Sequence, residues 1–423
     1  MVGKWKRFNA AKRPKRQPTL LKPIIWGVSF PKAWAHKSKV DKSEMPKGAN
    51  GVKPPYLLLC NHNSFMDFMI MSKAIFPHRA NYVVAIDGFL INEWLLRRVG
   101  CIGNRKFTRS ITLVRNMVMA KDRGDIVVLF PEARYSLCGT NAVLPESLSK
   151  MIRRMNVPVV TLIMHGHHIN SPFWNVGNRH IKQTTAEMKQ ILTKEETQSL
   201  PISEIMERVN TAFVYDDFAW QQENKISIDT PDRAEGLHNV LYQCCECGTE
   251  YKMRAQGTRL YCEHCGASWE LSEYGELKGE RGFSHIPDWY EWERENVRTE
   301  VANGTYSFEA EAQIESLPNA KGFCKLGTGR LTHGMEGFTL KGEYENEPFE
   351  ISWSVASMYS CHIEYNYNGK GACVDLNTLE DTFYIYPQNT AFAVTKIALA
   401  TEELYAVRNV QCAVRDSQVR SKA

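Results

Sequence analysis
In LLLCNHNSFMD, Leu57 to Asp67, an apolar run meets polar groups without a break. Leu57 to Cys60 require burial, then Asn61 and His62 arrive, and Asp67 follows His62 with four residues between them. An imidazole with an ordinary pKa near 6.5 is a usable base at neutral pH. A carboxylate accepting from its Nδ1–H would fix the tautomer and stabilise the imidazolium formed during proton transfer. On one ideal helix five residues turn about 500°, equivalent to about 140°, so the two groups would face apart. They meet only if His62 sits in a turn and Asp67 lies in the first turns of the helix that follows. The plainer reading is a capping histidine and a surface aspartate.

A strand-to-helix corner supplies that geometry, and the surrounding pattern supplies the corner. From Tyr56 to about Val240 strand and helix alternate: YLLLC, then SFMDFMIMSKAIF; NYVVAI, then a helical segment to Arg98. ITLVRNMVMAKDRG reads as an amphipathic helix stopped at Gly124. DIVVLF and VPVVTLIM are continuous apolar strands, as a sheet covered on both faces requires. The expected fold is α/β, a mostly parallel sheet with flanking helices, whose sites lie at the carboxyl ends of the strands. DIVVLFPEARYS delivers Glu132 and Arg134 to that same edge.

NHxxxxD after a strand, FPEARYS some way downstream, and then a VPVV strand resemble the glycerolipid acyltransferases, the glycerol-3-phosphate and 1-acylglycerol-3-phosphate acyltransferase family. The resemblance covers roughly Tyr56 to His168 and implies His62 as general base and Asp67 as its orienter. The family's third motif, FPEGTRS, is altered: Phe130, Pro131, Glu132 and Ser136 match, but Ala133 replaces Gly, Arg134 replaces Thr and Tyr135 replaces Arg. Of its GxxxxxR motif, GCIGNRK keeps Gly100 and places Lys106 where Arg is usual, with Arg105 and Arg109 nearby. Those segments hold the acceptor's phosphate in the family, so Glu132, Arg134, Arg105, Lys106 and Arg109 are the implied substrate-binding residues. The implied reaction moves a fatty acyl group from acyl-CoA or acyl carrier protein to the hydroxyl of a lysophospholipid or glycerol phosphate. Backbone N–H groups near the helix start after Asn61 are the expected oxyanion donors. Cys60, inside the apolar strand, reads as a buried structural thiol. The alternative to an enzyme is a catalytically inactive acyltransferase-like lipid-binding or membrane scaffold protein.

Two further modules follow. Cys244-x-x-Cys247 and Cys262-x-x-Cys265, each pair followed by Gly, have the spacing of a zinc ribbon. Gly248 and Gly266 permit the tight turns, and a closed four-thiolate site implies structural zinc, with Cys245 and His264 as spare donors. PDWYEWERENV has Asp288 and Glu291 at N-cap and N3 spacing, the start of a short connector helix. Beyond about Glu300 short strands separated by Gly, Asn and Pro end in the amphipathic AFAVTKIALATEELYAVR. That order suits either a PH- or GRAM-like domain or an unrelated β-sandwich.

The expected boundaries are a basic, aromatic arm at 1–45, an acyltransferase domain at 46–240, a zinc ribbon at 241–285, a helical connector at 286–303 and a β domain at 304–423. The arm carries Lys4, Lys6, Arg7, Lys12, Arg13, Lys15 and Arg16 with no acid before Val40. It is read either as an anchor on an anionic membrane surface or as a solvated tail with a packed strip, Pro23 and Pro31 interrupting any long helix. No apolar run reaches transmembrane length and no secretory signal is visible, so the expected location is cytoplasmic, peripheral on the cytoplasmic face of a membrane. Nucleic acid is not an expected partner, since Glu246, Glu250, Glu263, Glu270 and Glu273 make the ribbon acidic.

Overall fold
The structure, a computed structural model, describes residues 5–47, 51–175, 177 and 179–420. Lys4 of the basic cluster and residues 48–50 of the PKGANGVKPP loop lie outside them. The first unit opens with helix α1 (Lys22–Ala35) and strands β1 (Lys39–Asp41) and β2 (Leu57–Cys60). Then come α2 (Met66–Ala74), β3 (Ala80–Ala85), α3 (Glu93–Arg98), β4 (Cys101–Asn104), α4 (Ile111–Asp122) and β5 (Ile126–Leu129). It continues through α5 (Ser147–Met155), β6 (Val159–His165), α6 (His167–Asn170), β7 (Thr185–Leu192), α7 (Lys194–Ser199), α8 (Ile202–Ala212) and α9 (Asp217–Glu223).

The seven strands form one sheet in the order β1-β7-β6-β2-β5-β3-β4, parallel except for the β6–β7 pair. Strand β2 lies at its centre because all four of its side chains are apolar and buried. Leu58 and Cys60 face Ile70, Met71 and Ala74 of α2, and Leu57 and Leu59 join Met117 of α4, Ile152 of α5 and Val209 of α8. Each leucine so buried stabilises the fold by about 1.5–3 kcal/mol. Helix α4 begins where Ser110 accepts from the Leu113 amide and stops where Gly124 takes a φ of +81°.

The amino-terminal segment departs from the expected arm. Pro31 stands inside α1 and does not interrupt it, while Pro23 occupies the first turn, where its missing N–H is no loss. The carbonyl that Pro31 leaves without a helical donor is that of Gly27, which is exposed to water. Trp26 and Phe30 pack edge-on against Phe76, 4.7 and 5.5 Å between centroids, and this packing overrides the local preference. Before α1 the chain is strapped to the body: Arg97, Asn116, Arg123 and Asn81 donate to the carbonyls of Asn9, Ala10, Pro14 and Lys15. Strand β1 pairs with β7, so the sheet begins before residue 46.

The chain then forms a four-stranded antiparallel sheet, β8 (Met253–Gln256), β9 (Arg259–Cys262), β10 (Ser268–Leu271) and β11 (Leu277–Lys278). Helix α10 (Ile286–Ala302) follows. It starts after an extended His285, ahead of the expected Asp288, because Pro287 presets the first turn and Asp288 lies within it. Buried Ile286, Trp289, Tyr290, Val297 and Val301 make it a core element more than a connector. Strands β12 (Phe308–Ser316), β13 (Cys324–Gly334), β14 (Gly337–Tyr344), β15 (Glu347–Ser354), β16 (His362–Glu364), β17 (Cys373–Asn377) and β18 (Thr382–Gln388) form an antiparallel sheet in the order β15-β14-β13-β12-β18-β17-β16. The last element is α11 (Val394–Arg420). One apolar cluster runs from Leu137 and Phe173 through Trp269 and Trp289 to Ile385 and Leu399, so the Cys-rich sheet, α10 and the β domain share a core with the loops of the first unit.

Candidate active site
Strand β2 ends at Cys60, and the turn 61–65 brings His62 against the first turn of α2, where Asp67 lies. His62 Nδ1 is 2.8 Å from Asp67 Oδ2. The same oxygen accepts from the Asn63 and Ser64 amides at 2.6 and 3.0 Å. The other oxygen, Oδ1, takes Nδ1 of His167 at 2.5 Å. Burial alone would raise this fully enclosed carboxyl, but the hydrogen bonds from His167 and His62 hold it at about 2. A carboxylate gripped by two imidazoles and two amides is a fixed anion, and it fixes the His62 ring in turn. That ring remains about one quarter exposed, between Phe130 and Tyr135 at 4.3 and 4.4 Å between centroids.

His167 was not anticipated. It follows β6 as His62 follows β2, at the carboxyl edge of the same sheet. The cue available was that VVTLIM, like LLLC, is followed within two residues by histidine. Asn61 bonds both ways with the Met164 backbone, at 2.9 and 2.8 Å, and locks the ends of β2 and β6 together. The expected oxyanion donors are committed elsewhere: the His62 amide donates to Glu132, and those of Asn63 and Ser64 to Asp67. Cys60 is fully buried, and burial pushes its thiol far up, which leaves no nucleophile there.

The residues implied as substrate-binding divide sharply. Glu132 is fully buried; its oxygens accept from the His62 amide at 2.7 Å and the Ala142 amide at 2.8 Å, so it positions His62 and is out of a substrate's reach. Burial raises its carboxyl to about 8 against those two donors. Arg134 lines the cleft but is held in a buried pair with Glu402 of α11, 2.7 Å. Arg105 reaches the Leu317, Pro318 and Glu380 carbonyls and the Thr382 hydroxyl at 2.6–3.1 Å, and so clamps the two domains. Lys106 does face the cleft, between Asp87 at 3.2 Å and Asp375 at 3.4 Å. Arg109 is exposed on the cleft wall and donates to the Ala356 carbonyl at 3.2 Å.

His62 opens into a cleft of about 1440 Å³. One side is apolar: Phe68, Val83, Leu113, Leu129, Met151 and Met206. The opposite wall belongs to the β domain and α11, through Tyr359, His362, Glu364 and Tyr405. An apolar lining of this kind beside a carboxylate-held imidazole suits a hydrocarbon chain.

In the Cys-rich sheet the Sγ atoms of Cys244, Cys247, Cys262 and Cys265 all lie within 4.8 Å of one another, with Cys244–Cys265 at 3.7 Å and Cys247–Cys262 at 3.9 Å. A tetrahedral ion with Zn–S of about 2.3 Å needs sulfur edges of about 3.8 Å, so the donor set fits. Gly248 and Gly266, at φ +72° and +78°, return their amides to the Cys244 and Cys262 carbonyls. Neither Cys245 nor His264 belongs to the cluster.

Fold and site together define an α/β domain with a carboxylate-oriented imidazole at the carboxyl edge of a parallel sheet. Residues 37–165 of this α/β domain match the family model described as Acyltransferase. A partial likeness is found to the crystal structure of the 1-acyl-sn-glycerophosphate (LPA) acyltransferase PlsC from Thermotoga maritima. It has 15% identity, covers 46% of this chain and 78% of that one, and has a TM-score of 0.36. No curated protein matches the chain.

Proposed function
We propose that the protein transfers a fatty acyl group from acyl-CoA or acyl carrier protein to the hydroxyl of a lysophospholipid or glycerol phosphate, with His62 as general base. The observation that carries this reading is the His62–Asp67 contact at the mouth of the apolar cleft. With Nδ1–H donated to Asp67, Nε2 keeps its lone pair for the acceptor's proton. The hydroxyl oxygen attacks the thioester carbonyl as its proton passes to His62. The tetrahedral intermediate then collapses with loss of the thiolate, which takes the proton from the imidazolium. A positioned base of this kind contributes about 10²–10⁴ in rate. The intact base pair disfavours an inactive lipid-binding scaffold.

The four thiolates would hold one structural zinc, closed to substrate. The strand order and terminal helix of the β domain are compatible with a PH- or GRAM-like fold, by analogy of element order alone. Among the described residues no helix is long and apolar enough to cross a membrane. Peripheral docking on the cytoplasmic face is supported by Leu20, Ile24 and Val28, spaced by four and 87, 60 and 51% exposed, with exposed Lys12, Arg13, Lys15 and Arg16 beside them in sequence. Purified protein with labelled acyl-CoA and a panel of lysolipids tests the central claim. Transfer by wild type and none by a folded His62→Ala protein supports it; equal turnover by the two overturns it.

A further inference from the structure
The cations that the family resemblance assigns to a phosphate are largely taken in this protein, by carboxylates and by backbone carbonyls. Arg134 is paired with Glu402, and Arg105 is consumed by the carbonyls of the β domain. Lys106, sheltered on the cleft wall, is flanked by Asp87 and by Asp375 of β17. Glu364 of β16 is close enough to raise the Lys106 ammonium alongside them. His362 links the group, its Nε2 3.1 Å from Glu364 and 3.8 Å from Asp375. Three carboxylates therefore surround one ammonium. Asp87 and Glu364 are each 23% exposed in the cleft, accessible yet poorly screened.

This group adjoins the base. Tyr135 lies against His62, Phe173 is 5.9 Å from Tyr135, and His362 is 6.4 Å from Phe173, all between ring centroids. Tyr135 also occupies the position where the family pattern has its arginine. The remaining cations on the lining, Arg109, Lys150 and Arg154, are exposed, where water and salt weaken their fields. A phosphate monoester approaches a dianion at neutral pH, its second pKa being about 6. It would face more negative than positive charge beside His62. A phosphodiester carries one charge, which suits the one ammonium of Lys106, and a terminal amine on that diester would suit Asp87 and Glu364.

We propose, resting on the acyl-transfer reading above, that the β domain is the acceptor-selecting wall of the cleft and that it selects a lysophospholipid with an amine-terminated phosphodiester head over a phosphate monoester. Lys106 holds the diester; Glu364 and Asp87 hold the ammonium.

The test uses the full chain, acyl-CoA and three lysolipids in neutral detergent micelles: 1-acyl-glycerophosphoethanolamine, 1-acyl-glycerophosphoglycerol and 1-acylglycerol 3-phosphate. The ethanolamine ester should exceed the monoester in kcat/KM by about tenfold or more, with the glycerol ester between them. Glu364→Gln should lower kcat/KM for the ethanolamine ester several-fold more than for the glycerol ester. Asp87→Asn gives the same reading if the first variant does not fold. A monoester used as well as or better than the ethanolamine ester overturns the proposal and leaves acyl transfer standing. So does a Glu364→Gln protein whose three rates fall by one common factor. No transfer to any acceptor refutes the acyl-transfer reading, and this proposal with it.

Discussion

Replacing Asp67 with Asn keeps the shape of the side chain and removes its charge, and the structure sets the size of the effect. Asp67 holds its carboxyl at about 2 against an ordinary 3.8, which at about 1.4 kcal/mol per pKa unit is roughly 2 kcal/mol of net stabilisation. The folded value lies below the unfolded one, so this stabilisation is complete above about pH 3.8 and is lost as pH falls through about 2. At pH 7 an Asp67→Asn protein should therefore melt about 4–8 °C lower, at about 2–4 °C per kcal/mol for a domain of this size. The amide can still accept from the Asn63 and Ser64 amides, and its NH₂ can meet a re-tautomerised His167, so the corner stays folded. What it cannot do is stabilise an imidazolium at His62. Turnover should fall by about 10²–10⁴ with KM changed little, because the lost interaction strengthens only as the proton moves. Thioester cleavage followed by free thiol release, with a melting curve on the same sample, measures both. A turnover within about threefold of wild type in folded protein would refute the general-base argument.

Zinc should be present at one per chain by elemental analysis, and chelation should expose residues 243–274 to protease. Because Trp269 packs on Trp289 of α10, 4.7 Å between centroids, the melting temperature of the whole chain should fall as well; an unchanged melt would isolate the ribbon. Glu402→Gln leaves Arg134 charged and buried, a change worth about 3–5 kcal/mol, while Glu402→Leu with Arg134→Met should recover most of that loss by denaturant titration. Deleting residues 1–18 removes the strap as well as the basic cluster. It should therefore reduce both anionic-vesicle flotation and thermal stability, and undiminished flotation would move the docking site to another face.

The parts of the site that could be read from the sequence are the local ones. His62 and Asp67 are five residues apart, and a strand-to-helix corner was enough to join them. The order of strands and helices was legible for the same reason: each follows from its own stretch of apolar spacing and stop signals, as Gly124 ends α4. His167 was harder to find because it lies 100 residues from its partner Asp67, and only the adjacency of β2 and β6 brings them together. Pro31 shows the converse, a local signal overridden by the packing of Trp26 and Phe30. The fates of Arg105 and Arg134 were beyond sequence reasoning, since their partners stand more than 200 residues away.

That distance accounts for the altered third motif. Arg134 stands where the family pattern has Thr, and the charged and polar groups that act on it, Glu402, Tyr290, Cys361 and Arg294, all come from α10, α11 and the β domain. Here α11 brings Glu402 to within 2.7 Å of it, and Arg294 of α10 and Ser360 hold the same carboxylate. The loop carrying Arg134 also carries Glu132 and Ser136, which grip the backbone of His62 from both sides, Glu132 at its amide and Ser136 at its carbonyl. The appended domain is thus tied to His62 through one short loop, while His362 and Glu364 line the cleft directly. A substitution that looks like decay in the motif read alone is the attachment point of the domain that completes the site.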